Sequence, residues 1–185
     1  RETRRLNKAA AEQAFAGEFG HCLGRTLRCE RERKIMGDSI FSRILSYTSA
    51  ACDARMAGAM IPVMSNSGSG NQGIAATLPV VVYAEQTAAT EQQTIRALVL
   101  SHLTVIYIKQ SLGRLSALCG SMKLTSGVST AVISAMMAMD GHCVTPVEGI
   151  IEEDVDKCIR NLTAIGRDGM NETDRVVLGI MTHKC

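Results

Sequence analysis

The spacing of apolar residues along the chain predicts helices through most of its length. In residues 39–60 apolar side chains recur at three- and four-residue steps, and Thr90 opens a T-x-x-Q capping sequence that predicts a helix to about Leu112. The Ala-rich residues 1–16 are separated from the next helical stretch by the glycine-bounded residues 17–24. Further helices are predicted over residues 128–139, 152–164 and 171–183. We therefore expect a mostly α, multi-helix domain.

One stretch is apolar on every side. From residue 73 the sequence GIAATLPVVVYAE contains no apolar-polar alternation, as expected of an element buried in the middle of a domain. Pro79 is predicted to kink or end this element, because proline lacks an amide proton and crowds the preceding turn. Residues 80–83 are the one stretch with the composition of a strand.

A polar loop, residues 65–73, lies between two of these apolar segments. Its sequence SNSGSGNQG combines hydroxyl and amide side chains with glycines that allow backbone N–H groups to turn inward. A loop of this kind that enters a helix N-terminus favours a carboxylate or phosphate. The candidate binding residues are Ser65, Asn66, Ser67, Ser69 and Asn71. The alternative is a flexible Gly/Ser linker, which fits poorly with the buried element that follows.

Nucleotide binding is a weaker alternative for the polar loop. No Lys-Ser/Thr pair follows its last glycine, and its G-x-G-x-x-G spacing has no preceding strand. Arg55 is close enough in sequence to help hold an anion, although an ion pair with Asp53 is the simpler local interpretation. His102 is a weak candidate for an acid or base, since a helical histidine on an apolar face is more often a hydrogen-bonded core residue.

Composition narrows the class of protein. The 185 residues are 46% hydrophobic, which is enough for the single helical domain that we expect over residues 1–185. Lys and Arg number 20 against 18 Asp and Glu, and there is no Trp, so neither a basic groove nor stacking platforms for nucleic acid are expected. No apolar run is long enough to predict a membrane span. Seven dispersed cysteines without a C-x-x-C pair, and no secretory signal, predict a cytoplasmic protein with reduced thiols.

Two segments carry a resemblance to a known family. The sequences SAACDARMAGAMIPVMSNSGSGNQGIAATLPVVVYAE and ALVLSHLTVIYIKQSLGRLSALCG resemble the C-terminal half of L-cysteine desulfidases, relatives of iron–sulfur L-serine dehydratase alpha chains. The resemblance covers residues 41–120 well and the end of the chain more loosely. It implies a cytoplasmic lyase that eliminates hydrogen sulfide from L-cysteine and leaves pyruvate and ammonia. It also implies a [4Fe-4S] cluster held by three cysteines, of which Cys119 corresponds to the first.

The chain departs from the family directly after Cys119. The family continues there with a Gly/Ala-rich stretch that contains a C-D-G motif and a further cysteine, whereas here Gly120 is followed by Ser121. Neither Cys143 nor Cys158 falls at a matching motif, and the family's N-terminal C-T-E-P-type motif has no counterpart. We expect the C-terminal part of a longer protein, with a segment missing between residues 120 and 121.

Four functions are compatible with these observations. The first is a cysteine-desulfidase-like lyase whose polar loop holds the carboxylate and ammonium of a small amino acid. An L-serine dehydratase would use the same residues on a hydroxyl leaving group. A cluster-free domain that binds or senses an amino acid is a second alternative. A helical assembly module that forms a homo-oligomer through the Met-rich residues 135–139 is a third.

Overall fold

The computed structural model describes residues 1–112 and 129–141, and the described residues form helices and no strand. This confirms the expected mostly α fold. The seven helices in this part of the chain are α1 (Glu2–Ala16), α2 (Leu23–Thr26), α3 (Glu30–Met36), α4 (Ile40–Met56), α5 (Gly70–Gln86), α6 (Glu91–Leu112) and α7 (Ser129–Met139). The helices predicted over residues 152–164 and 171–183 lie outside the described residues, as does Cys119.

The central element of the fold is α5. It packs against α1 and α4 on one side and against α6 and α7 on the other. Its first turn is capped by Ser69, whose Oγ accepts a hydrogen bond from the amide of Gln72 at 3.3 Å. The helix runs on through Pro79 to Gln86, and twelve of its seventeen residues are buried.

The strand predicted over residues 80–83 is therefore wrong, and Pro79 does not end the helix. A proline in a helix interior costs about 3 kcal/mol, whereas each fully buried aliphatic side chain contributes about 1.5–3 kcal/mol. Leu78, Val80 and Val81 are all fully buried, so packing on both sides of α5 outweighs the proline. Four β-branched or aromatic residues cannot distinguish a buried helix from a strand.

The core has two parts that share α5. One part is almost entirely alanine and lies between α1, α4 and α5, where the small side chains allow the backbones to approach closely; it comprises Ala10, Ala11, Ala14, Ala50, Ala51, Ala54, Ile74 and Leu78. The other part lies between α5, α6 and α7 and includes Val80, Val81, Leu98, Val105 and Val132. The predicted capping box at the start of α6 is confirmed, because the amide of Thr90 donates to Gln93 at 2.9 Å and the amide of Gln93 donates back at 3.3 Å.

The short helix α2 is held against α4 through Gly24. Its amide donates to Asp53 Oδ2 at 3.0 Å, and its carbonyl accepts from Ser46 Oγ at 2.7 Å. A Cβ at this position would lie 2.2 Å from the backbone nitrogen of Ala50. Only glycine permits this approach.

Three of the cysteines, Cys22, Cys29 and Cys52, lie in the described residues and are free thiols. Burial, together with the neighbouring Asp53 carboxylate, raises the pKa of the Cys52 thiol to about 11. Cys29 is exposed. No helix in the described part of the chain has both the length and the apolar character needed to cross a bilayer.

We expect Gly24→Ala to lower the free energy of unfolding by about 2 kcal/mol or more, because α2 must move away from α4 to make room for a methyl group. Chemical denaturation of the variant and the parent protein measures the difference. Ala50→Gly is the control. In the double variant Gly24→Ala/Ala50→Gly the methyl group of residue 50 is removed. The backbone nitrogen of residue 50, which lies closer to the new Cβ, stays in place. We therefore expect the free energy of unfolding not to recover. Full recovery would contradict the backbone contact.

We expect Cys52 to react with iodoacetamide at pH 8 at least about tenfold more slowly than Cys29, because the thiolate is the reactive form. Timed alkylation followed by site-resolved mass spectrometry compares both thiols within one sample. In denaturant the two rates should converge. Equal rates in the folded protein would show that Cys52 is not shielded.

Candidate functional site

The polar loop, residues 65–73, forms a tight turn that leads directly into α5. Asn66 and Ser69 exchange backbone hydrogen bonds of 3.1 and 3.0 Å, and both residues between them have positive φ, 47° at Ser67 and 82° at Gly68. Positive φ at both central positions is the pattern of a type I′ turn, which glycine adopts readily and serine at some cost. Ser65 precedes the turn and is exposed.

The first turn of α5 presents backbone amides at the end of the loop. The amides of Gln72 and Gly73 are bonded to Ser69, at its Oγ and its carbonyl. The amides of Gly70 and Asn71 have no hydrogen-bond partner among the described residues. A Cβ at Gly73 would lie 2.0 Å from the carbonyl oxygen of Met64, so glycine is required where the loop folds back on the helix. Two amides and the positive end of the helix dipole therefore meet at the loop.

Arg55, at the end of α4, lies across this same turn. Its Nη1 donates to Asn71 Oδ1 at 3.0 Å, and its Nε would lie 2.2 Å from a Cβ at Gly70. The ion pair with Asp53, which was the simpler interpretation of the sequence, is not formed, because residues two positions apart on a helix do not face each other. Asp53 Oδ2 instead accepts a hydrogen bond from the amide of Gly24. No carboxylate among the described residues lies within ion-pair distance of Arg55.

This arrangement concentrates positive charge without a matching anion. A helix N-terminus carries a partial positive charge, and a cation beside it is unfavourable by roughly 0.3–1 kcal/mol. A bound carboxylate or phosphate would remove that repulsion and would accept hydrogen bonds from the guanidinium and from the free amides. The exposed side of the loop is therefore suited to an anion.

The inner side of the loop is held by Asn66, which is only 3% exposed. Its Oδ1 accepts from Ser67 Oγ at 2.8 Å and from Gln72 Nε2 at 3.2 Å. Its Nδ2 lies 2.9 Å from Nδ1 of His102 and donates to the carbonyl oxygen of His102 at 3.3 Å. Both ends of this amide are therefore occupied by the protein itself.

His102 connects the loop to the interior of the fold. Its Nε2 lies 3.0 Å from Thr77 Oγ1, in the middle of α5. Asn7 Nδ2, from α1, donates to the same hydroxyl oxygen at 3.1 Å. Burial lowers the pKa of His102, which favours the neutral ring at physiological pH. Both ring nitrogens are thus within hydrogen-bond distance of described side chains.

Sequence reasoning missed Asn7 and Thr77. Asn7 shares one face of α1 with Ala10, Ala11 and Ala14, and all four are buried. A polar side chain on such an apolar stripe must find buried partners, and this signal was available in the sequence. Thr77 stands in the same way inside the apolar run of α5.

The cluster that the resemblance implies is not supplied by the described residues. An iron–sulfur cluster of this type needs several cysteine thiolates at one place. No group of three or more His, Cys, Asp or Glu side chains in the described part of the chain could hold a metal ion. The implied ligand Cys119 lies outside this part. The binding roles of Ser65, Asn66, Ser67, Ser69, Asn71 and Arg55 stay predictions, which the geometry of the loop now makes specific.

The chain is similar in sequence to several bacterial proteins. A UPF0597 protein of Bacteroides fragilis is 61% identical over 229 residues, which covers 99% of this chain and 54% of the relative. Similar proteins of Phocaeicola vulgatus and Oleidesulfovibrio alaskensis are 56% and 41% identical, over 99% of this chain and 53% and 54% of the relatives. The chain thus spans about half the length of the curated relatives it matches. No solved structure matches it.

A family model described as the serine dehydratase alpha chain matches residues 2–122 and 121–179. These two segments include every described residue of the polar loop and of the helices that hold it. The chain belongs to the serine dehydratase alpha chain family.

Proposed function

We propose that this chain is the substrate-carboxylate-binding part of an amino acid lyase that eliminates sulfide from L-cysteine to give pyruvate and ammonia. Membership of the serine dehydratase alpha chain family supports a lyase that acts on a small amino acid. The preference for L-cysteine rests on the resemblance of residues 41–120 to L-cysteine desulfidases. L-Serine is the second candidate, because the matching family model carries that name.

The observation that carries the proposal is the position of Arg55 over the N-terminus of α5. Its guanidinium, the amides of Gly70 and Asn71, which have no partner among the described residues, and the dipole of a seventeen-residue helix all favour an anion at one place. A planar carboxylate can accept from the guanidinium and from the helix amides at the same time. An amino acid substrate brings such a carboxylate with it.

The loop would act by positioning and by charge. A carboxylate held by fixed donors keeps the α-carbon in one orientation relative to the groups that remove its proton and expel the leaving group. Those donors also offset the negative charge that develops next to the carboxylate when the α-proton leaves. The [4Fe-4S] cluster belongs to this proposal only through Cys119. Cytoplasmic location and homo-oligomer formation stay predictions.

We expect Arg55→Met to raise KM for the amino acid about tenfold or more, because a charge-assisted hydrogen bond to the carboxylate is lost. Stability should change little, since Arg55 is exposed. Full-length protein purified without oxygen is assayed for sulfide from L-cysteine and for pyruvate from L-serine. Arg31→Met, which removes an equally exposed charge on α3, is the matched control.

Three results would contradict this proposal. An unchanged KM in Arg55→Met would show that the substrate carboxylate does not bind beside Arg55. An equal rise of KM in Arg31→Met would show a general effect of surface charge. Full-length protein that contains no iron or sulfide and binds an amino acid without producing sulfide or pyruvate would indicate a binding or regulatory domain instead. The ratio of the two lyase activities decides between L-cysteine and L-serine.

We also propose that a segment of the family belongs between Gly120 and Ser121. The matches with relatives run over 229 positions, 44 more than the 185 residues of the chain. The two segments of the family match also meet at residues 121–122. Such a segment would be the place for further cluster cysteines.

Tryptic mapping of the protein from its natural source tests this segment. If Gly120 and Ser121 are joined directly, cleavage after Arg114 and Lys123 releases the nine-residue peptide LSALCGSMK. We expect this peptide to be absent and a longer peptide that begins LSALCG to replace it. Detection of LSALCGSMK would disprove the missing segment.

A further inference from the structure

The hydrogen atoms of the network inside the loop can be assigned from its fixed backbone groups. The amide of Met64 can only donate, and it does so to Asn7 Oδ1 at 2.8 Å. The other end of that side chain, Nδ2, therefore faces the hydroxyl oxygen of Thr77 at 3.1 Å and the carbonyl oxygens of Gly73 and Met64 at 3.2 and 3.3 Å, all of which can accept from it. The single proton of this hydroxyl goes to the carbonyl of Gly73 at 2.6 Å. Towards His102 the hydroxyl can then only accept, so Nε2 of the ring must carry a proton.

The opposite end of the network leads to the same assignment. The carbonyl oxygen of His102 can only accept, and the Asn66 atom that faces it is Nδ2. The contacts of Asn66 Oδ1 support this orientation of the side-chain amide, because this oxygen accepts from Ser67 Oγ and from Gln72 Nε2. Nδ2 of Asn66 therefore donates to Nδ1 of the ring at 2.9 Å, and Nδ1 must be without a proton.

A ring with a proton on Nε2 and none on Nδ1 is neutral. A protonated ring would place the N–H of Nδ1 against the NH₂ group of Asn66, so two donors would meet at hydrogen-bond distance. The neighbours bonded to His102 from the loop and from α5, Asn66 and Thr77, are uncharged, as is Asn7 from α1 behind them. The helix α7, which also packs against α6, has no titratable side chain. Among the described residues of this network no negative charge therefore compensates a positive charge on the ring.

We propose that His102 is a positioning residue that, as the neutral Nε2–H tautomer, fixes Asn66 and with it the turn that presents the anion-binding side of the loop. The ring acts through Asn66 and touches no substrate. Thr77 and Asn7 set its tautomer from the core, so the loop is oriented by residues on three separate helices. The effect on substrate rests on the proposed function, whereas the tautomer does not.

The tautomer is read directly from long-range ¹H–¹⁵N spectra of protein labelled at histidine, with the exposed His21 as a reference and His102→Asn to identify the signal. We expect the Nε2–H pattern at neutral pH. Asn66→Asp replaces the donor that faces Nδ1 by an acceptor, so the ring should take a proton on Nδ1. A proton on Nδ1 in the parent protein, or no change in Asn66→Asp, would overturn the assignment.

Two substitutions separate positioning from simple filling of space. His102→Asn keeps an acceptor near the position of Nδ1 and can still hold Asn66, whereas His102→Gln keeps a donor near Nε2 and loses that contact. We expect KM for L-cysteine, or for L-serine if that is the substrate turned over, to rise about tenfold in His102→Gln and less than about threefold in His102→Asn, with kcat changed little in both. A filling role predicts the reverse order, because Gln is the larger side chain. That order would overturn the proposal.

The pH dependence of stability is a third measurement. Because the pKa of His102 in the folded protein lies below the ordinary value of about 6.5, the unfolded chain binds more protons as pH falls through that range. The contribution of the neutral ring is therefore complete above about pH 6.5 and is lost towards the lower folded pKa. The parent protein should lose stability more steeply below pH 6.5 than His102→Asn does. Parallel curves would contradict the neutral ring.

These measurements keep the two proposals apart. If the full-length protein turns over neither amino acid, the proposed lyase function fails, while the spectra and the pH dependence still decide the role of His102. If turnover is found and the spectra show another tautomer, the lyase function stands and the positioning role fails.

Discussion

Because α5 is buried between α1 and α4 on one side and α6 and α7 on the other, every buried polar side chain along it needs a hydrogen-bond partner within the protein. An unpaired buried hydroxyl or amide costs about 1–3 kcal/mol, which is comparable to the contribution of a whole aliphatic side chain. Thr77 is the polar residue in the middle of this helix that meets the requirement through two other helices. Its hydroxyl bonds to its own helix at Gly73, to Asn7 on α1 and to His102 on α6.

The same requirement links the core to the polar loop. One ring nitrogen of His102 is hydrogen-bonded to Thr77 and the other to Asn66. The orientation of the Thr77 hydroxyl therefore determines which ring nitrogen carries the proton, and the ring in turn orients Asn66 in the loop. In such a chain each hydrogen bond fixes the direction of the next, and a fully satisfied buried network specifies one arrangement. The loop is therefore ordered from inside, through Asn66, at the short turn with two positive φ values.

The two sides of the loop differ in what they leave unsatisfied. On the inner side Asn66 has partners for both ends of its amide. On the outer side Arg55 and the free amides of Gly70 and Asn71 point positive charge at one place with no anion from the described residues. Rigid inner contacts with unmatched outer donors are the arrangement that anion binding requires, because donors that are already oriented need no further ordering when the ligand arrives.

Much of this protein follows from local sequence patterns. The three- and four-residue spacing of apolar residues specified the helices, and the T-x-x-Q sequence at Thr90 specified the start of α6, because both depend on neighbours within one turn. The Ser/Gly composition of residues 65–73 indicated a loop for the same reason, and anion binding by this loop stays a prediction. Residues 80–83 were misread because strand and buried helix share one composition when all faces are apolar, and only packing on both sides distinguishes them.

The tertiary structure alone determined the contacts between residues that are far apart in the sequence. Arg55 bonds to Asn71 and not to Asp53, since Asp53 lies two positions away on the same helix and faces α2, where its carboxylate accepts from the amide of Gly24. Asn7 bonds to Met64, which lies 57 residues later in the sequence. His102 bonds to Asn66, which lies 36 residues earlier. No local spacing predicts either contact. Local periodicity determines which face of a helix is buried. Which polar groups then meet on that face depends on how the helices pack against one another, and here that packing brought Arg55 and His102 to the polar loop.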